Sequence, residues 1–137
     1  MILCDTGPLV AIIDTSDADH ERCVTAMQSR RNEPVLTTWC CLTELMHFAR
    51  GVGGHPAQER VWDFIAQGAL LLDFPPPDEW RRIRALMDEY SDQPMDLADA
   101  SLVAAAERLG SNRIFTLDRH FYAYRIHGTG TFDVIPG

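Results

Sequence analysis

Lysine is absent from this chain: all twelve basic residues are arginine, set against twenty Asp and Glu, and the formal net charge is −8. So little positive charge argues against a broad basic face that grips nucleic acid. It suits a partner with a basic tail, or a metal site whose carboxylates inflate the acidic count. Long hydrophobic runs are missing too. No apolar stretch approaches the ~20 residues a membrane span requires. The N-terminal run has no basic n-region and is cut by Asp5, so the expected location is cytoplasmic, away from the membrane. Cys4, Cys23, Cys40 and Cys41 form no CxxC pair and fit no disulfide or zinc-finger spacing. All four are expected to be small buried hydrophobes in a reducing compartment. The one glycine-rich stretch, residues 51–56, has neither GxGxxG nor GxxxxGK and is expected to be a flexible loop. A phosphate cradle is therefore unsupported.

What is present fits one globular domain, residues 1–137, with 46% hydrophobic content and 23% charge. Short apolar runs alternate with helical periodicity. Strands are expected at residues 2–5, 34–37, 69–73, 112–117 and 132–135. Helices are expected at 9–14, with Pro8 in the first position, and at 18–31, 39–50, 57–67, 78–90 and 98–109. This alternation predicts an α/β fold, a parallel sheet with helices on both faces. Arg81, Arg82 and Arg84 are expected to form a solvated outer face of the 78–90 helix.

Residues 93–118 organise the rest. Asp96 and Asp99 open a helix that is nearly all Ala, Leu and Val, and Gly110 closes it. Residues three apart share a helix face. The helix feeds back into a strand that ends at Asp118, so helix start and strand end meet at one sheet edge. Asp5 closes the first strand at that edge, where open parallel sheets place their ligands. Glu44 lies about 160° from the apolar stripe of its helix at 100° per residue, yet it sits in the early turns after a strand, again at that edge. A plainer role exists for several of these acids: Asp96 as an N-cap, Asp99 as a first-turn acid, and Asp5 and Asp118 as turn formers. Five acids converging without an evident basic partner repel one another unless a cation lies among them. An oxygen-only donor set suits Mg²⁺ or Mn²⁺ and supports phosphodiester hydrolysis.

At these residues the chain resembles the PIN-domain ribonucleases, in particular the VapC-type toxins of bacterial toxin–antitoxin pairs. The resemblance rests on Asp5 in ILCDTGPLVA, Glu44 in TEL, Asp99 in DLADASLVAAAE and Asp118 in IFTLDRHF. It implies a three-layer α/β/α PIN-like fold around a central, mostly parallel sheet of four to five strands. It implies a Mg²⁺- or Mn²⁺-dependent endoribonuclease, with Asp5 and Asp99 as principal metal ligands and Asp96 as an auxiliary acid. Glu44 and Asp118 would complete the pocket and orient the water, while Thr6 and Thr116 would support the ligands. A homodimer and a small antitoxin with a basic tail are the implied partners. Two other readings stand beside this one: a nuclease of DNA or structured RNA, and a binding module that acts on DNA through its partner. Intact acids weigh against the second. A haloacid-dehalogenase-type phosphatase is removed by Gly7, where that chemistry needs a second aspartate.

Overall fold

Parallel pairing organises the molecule. The computed structural model describes residues 1–136. Its strands are β1 (Ile2–Cys4), β2 (Val35–Thr38), β3 (Leu71–Asp73), β4 (Arg113–Phe115) and β5 (Asp133–Ile135). They form one sheet in the order β3-β2-β1-β4-β5. All of these pairings are parallel, so the expected sheet is present with five strands. The helices are α1 (Thr6–Ile13), α2 (His20–Gln28), α3 (Trp39–Ala66), α4 (Trp80–Glu89) and α5 (Leu97–Leu109). None is long and apolar enough to cross a membrane.

Successive strand residues point to opposite faces, and β1 shows the consequence. Leu3 packs with α4 and α5, while Ile2 and Cys4 pack with α1, α2 and α3. Three layers result. On the Leu3 side, α5 is buried continuously from Ala98 to Ala106. Alanines let this helix lie close to the sheet, and Leu102 and Val103, both at 0% exposure, fill the remaining volume. Burying each such side chain stabilises the fold by ~2 kcal/mol. Gly110 ends the helix with φ of 68°, a left-handed conformation that glycine adopts without strain.

Four local expectations need correction. Residues 51–56 are not a loop: α3 runs through them and bends at Gly53 and Gly54, whose dihedrals leave the helical region. Gly54 has φ of 66°, and a Cβ on Gly53 would lie 3.0 Å from the Ala57 Cβ, so the glycines make a packed kink. Next, α1 starts at Thr6 rather than residue 9, because Asp5 caps it. Pro8 then falls third in the helix, still within the first turn, where no intrahelical N–H bond is needed. Arg82 does not belong to a solvated face: its guanidinium grips Glu107 through bonds of 2.7 and 2.9 Å. Finally, Cys40 is only half-buried, while Cys4, Cys23 and Cys41 are buried, and all four are free thiols.

The strand order places the site. From β1 the chain lays β2 and β3 to one side, then returns to add β4 and β5 on the other. The carboxyl ends of β1 and β4 therefore flank the point where the winding reverses, the place where open α/β sheets form a crevice.

Candidate metal centre

Asp5 leaves β1 straight into α1 as its N-cap. The Thr6 N–H donates to its Oδ1 at 2.8 Å, and the Thr116 hydroxyl donates to its Oδ2 at 2.8 Å. Both oxygens are thus held, one from the adjoining residue and one from the end of β4, and Asp5 is 8% exposed. The same Thr116 Oγ1 accepts the Asp118 N–H at 3.0 Å, so one hydroxyl sets the positions of two acids. Burial pushes the Asp5 carboxyl up to about 6. The Thr116 and Thr6 hydrogen bonds pull the other way, and the charges of Asp118 and Glu44 add to the rise.

Asp99 sits at the third position of α5 in a capping box. Asp96 Oδ1 accepts its N–H at 2.8 Å, and the Asp96 N–H donates to Asp99 Oδ2 at 3.3 Å. The Tyr124 hydroxyl donates to the same Oδ2 at 3.3 Å. Burial, then the neighbouring Asp96 charge, pushes the Asp99 carboxyl up to about 7. Burial and then Asp99 in turn push the Tyr124 phenol upward, so it remains a donor.

Ligand oxygens of Asp5, Asp99 and Asp118 all lie within 4.8 Å of one another. They arrive from three separate segments, and no arginine pairs with any of them among the described residues. The donor set is oxygen only. That arrangement fits a hard divalent cation, which would offset the burial, and with it the mutual repulsion, that raises Asp5 and Asp99. Glu44 and Asp96 line the same crevice, of about 340 Å³, but stand outside this trio. Glu44 is half-buried, its Oε1 3.1 Å from the Thr6 hydroxyl. Asp96 is exposed, with one oxygen committed to the cap.

Three neighbours were missed at the sequence level. Asp17 also lines the crevice, with its Oδ1 accepting the Asp19 N–H at 2.8 Å; in the sequence it reads only as a residue near a helix cap. His120 places Nδ1 2.7 Å from Asp118 Oδ1, which also accepts the His120 N–H at 2.9 Å. An Asp followed two residues later by His is a usable signal for such a turn. Tyr124 carries no signal, because it reaches Asp99 only through packing against Phe121 and Tyr90.

The PIN domain family profile matches residues 2–126. The chain belongs to the PIN domain family. Ribonuclease VapC26 of Mycobacterium tuberculosis is 32% identical to this PIN domain over 136 residues, 98% of this chain and all of that protein. Among solved structures, M. tuberculosis VapC20, a Sarcin-Ricin loop cleaving toxin, superposes with a TM-score of 0.82 at 19% identity. It covers 90% of this chain and 94% of that one. FitAcB of Neisseria gonorrhoeae gives a TM-score of 0.62 at 20% identity, covering 97% of each. Both likenesses are in the fold, and they bear out the three-layer PIN-like architecture.

Proposed function

We propose that this PIN domain is the endoribonuclease toxin of a toxin–antitoxin pair, hydrolysing RNA phosphodiester bonds at a carboxylate-bound Mg²⁺ or Mn²⁺. One observation carries the reading: three carboxylates from three segments converge to within 4.8 Å at the reversal point of the sheet. The near full-length similarity to a ribonuclease supports RNA as the substrate.

Asp5, Asp99 and Asp118 would hold the ion, with Asp96 as an auxiliary acid through its uncommitted oxygen. When bound, the ion supplies a Lewis acid for the phosphate and lowers the pKa of a coordinated water. Thr6 and Thr116 fix both oxygens of Asp5, so the trio keeps its geometry without reorganising during the reaction. Glu44, beside the Thr6 hydroxyl, faces the crevice and orients the attacking water. Tyr124 and the Asp96 N–H hold Asp99 Oδ2 in place.

Two features support a protein partner. The charge of −8 complements a small antitoxin whose basic tail enters the acidic crevice, steering encounter. Trp39 and Phe74, exposed at 45% and 65%, pack against each other on the surface, tilted by 31° with centroids 5.3 Å apart. Such an exposed aromatic pair suits a homodimer or antitoxin contact. The cytoplasm, where RNA and antitoxin are made, is the expected location.

Purified protein incubated with total RNA should cleave it in Mg²⁺ or Mn²⁺ and stop in chelator, with single-stranded DNA left intact. Cleavage that continues unchanged in chelator would remove the metal mechanism. Co-expression with the small protein of the adjacent reading frame should yield a complex at low salt, and its absence would count against the toxin role.

A further inference from the structure

An acidic crevice on a chain of net charge −8 repels a polyanion, so a substrate strand must be held beside the crevice rather than by it. A second cleft, of about 480 Å³, adjoins the crevice, and Leu117 and Asp118 line both. Its remaining walls include Arg22, Arg119, Tyr122 and Val134. Arg119 is exposed and makes no ion pair among the described residues. Arg22 donates to the Pro136 carbonyl at 3.2 Å and stands 3.6 Å from Asp19, a contact between side chains 51% and 42% exposed. The Tyr122 side chain is part of a residue that is 55% exposed.

Five other arginines are placed differently. Arg82, Arg108 and Arg113 are committed to Glu107, to Asp73 and Glu79, and to Glu33. Arg81 and Arg84 line a different cleft with Asp88. Asp118 caps the short 3-10 turn Arg119–Tyr122. Side chains three apart in such a turn eclipse, so Arg119 and Tyr122 stand one above the other directly after an acid of the metal centre.

We propose that this second cleft is the track for the single-stranded RNA that runs out of the acidic crevice. Arg119 and Arg22 take the phosphates next to the scissile one, and one base stacks on Tyr122. Planar guanidinium groups suit bidentate contact with phosphate oxygens. A cationic groove with an exposed aromatic ring is how single strands are bound without strict sequence choice. The inference rests on the nuclease reading above and names where its substrate lies.

The test separates binding from cleavage. A labelled single-stranded oligoribonucleotide is titrated into the full chain in chelator, followed by anisotropy, and cleavage is measured separately in Mg²⁺. Arg119→Gln, Arg22→Gln and Tyr122→Leu should each weaken binding about tenfold, within the range expected for one stacked base. Each arginine variant should also lower the slope of log affinity against log salt by about 0.7. In cleavage, KM should rise while kcat stays within about twofold. Arg119→Lys should keep the salt slope but only part of the affinity, because a lysine cannot make the bidentate contact. Tyr122→Phe should keep most of it, and Arg81→Gln and Arg84→Gln should change nothing. If wild type cleaves RNA but the cleft variants bind it as wild type does, the track is overturned and the nuclease reading stands. Variants that keep RNA affinity but lose a co-purifying protein partner overturn it too, as does a wild type that binds no RNA. If wild type does not cleave yet binds RNA through Arg119 and Tyr122, the cleft stands and hydrolysis is what fails.

Discussion

Asp5 and Asp73 stand at the carboxyl ends of parallel strands, and each is 8% exposed. Their surroundings differ completely. Asp73 meets the Arg108 guanidinium, whose Nη1 lies 3.0 Å from Oδ1 and whose Nε reaches Glu79 at 2.7 Å. Asp5 meets an amide, a hydroxyl and other carboxylates. Burial alone therefore does not tell a structural acid from a functional one. What separates them is the sign of the charge supplied by the fold: an internal cation completes the first, whereas the second is completed only by something the chain does not encode.

The largest effect should come from breaking the satisfied side. Arg108→Ala leaves the buried Asp73 carboxylate without its partner, and should cost ~2–3 kcal/mol, less than breaking a fully buried pair because Arg108 itself is exposed. Activity per folded molecule should not change. Chemical denaturation paired with RNA cleavage checks both halves; a loss of activity beyond the loss of folded protein would break the separation between the two regions.

Next comes Asp99→Asn on the unsatisfied side. Cleavage should fall by more than about a hundredfold, as expected when a charged ligand is lost. In chelator the variant should be more stable than wild type by ~1 kcal/mol, less than the full shift of Asp99 implies because the crevice opens to solvent. With saturating Mg²⁺ the order should reverse, since wild type gains binding energy the variant lacks. Melting curves in both conditions decide it. A variant clearly less stable in chelator would make Asp99 a capping residue and nothing more.

A pH series sharpens the comparison at about the same scale. In the folded chain Asp5 and Asp99 lie near 6 and 7, both above the ordinary 3.8. Well below 3.8 both are protonated in either state, and the penalty is absent. As pH rises towards 7 the unfolded chain ionises first and binds fewer protons, so metal-free stability falls; above 7 this contribution levels off. Glu107 acts with the opposite sign. Burial raises it, but the Arg82 bond and the His127 N–H outweigh burial and hold it below its usual 4.5. Its contribution is present above that value and is lost as pH falls through the folded value. The stability difference between Asp99→Asn and wild type, measured in chelator at pH 5 and pH 8, should be larger at pH 8; an equal difference would contradict the raised Asp99.

The smallest effect belongs to Thr116→Val. It removes the donor to Asp5 Oδ2 and the acceptor of the Asp118 N–H. Ligand positioning of this kind is worth about tenfold, and metal affinity should weaken by that factor while the fold stays intact. Calorimetric titration with Mn²⁺ reads it. An unchanged affinity would mean that the Thr6 N–H alone suffices to orient Asp5.

The sequence by itself determined the alternation of strand and helix, because periods of 2.0 and 3.6 are local properties of a few consecutive side chains. It also placed Asp5, Glu44, Asp96, Asp99 and Asp118 at one edge, since a helix returning to a strand leaves little choice about direction. Only the tertiary structure decided which of these acids meet. Thr116 reaches Asp5 across 111 residues of chain, and Tyr124 reaches Asp99 across 25. Whether a capping acid joins the trio, as Asp118 does, or stands outside it, as Asp96 does, depends on rotamers set by packing rather than on spacing. The pairing of Arg82 with Glu107 and of Arg108 with Asp73 was equally unreadable, because charges on separate elements find each other only once the layers have stacked. The entry of Asp17 into the crevice has the same origin. The kink at Gly53 and Gly54 arose likewise: the glycines allow a break anywhere, and the packing of α3 against α1 and the sheet selects a bend instead of a loop.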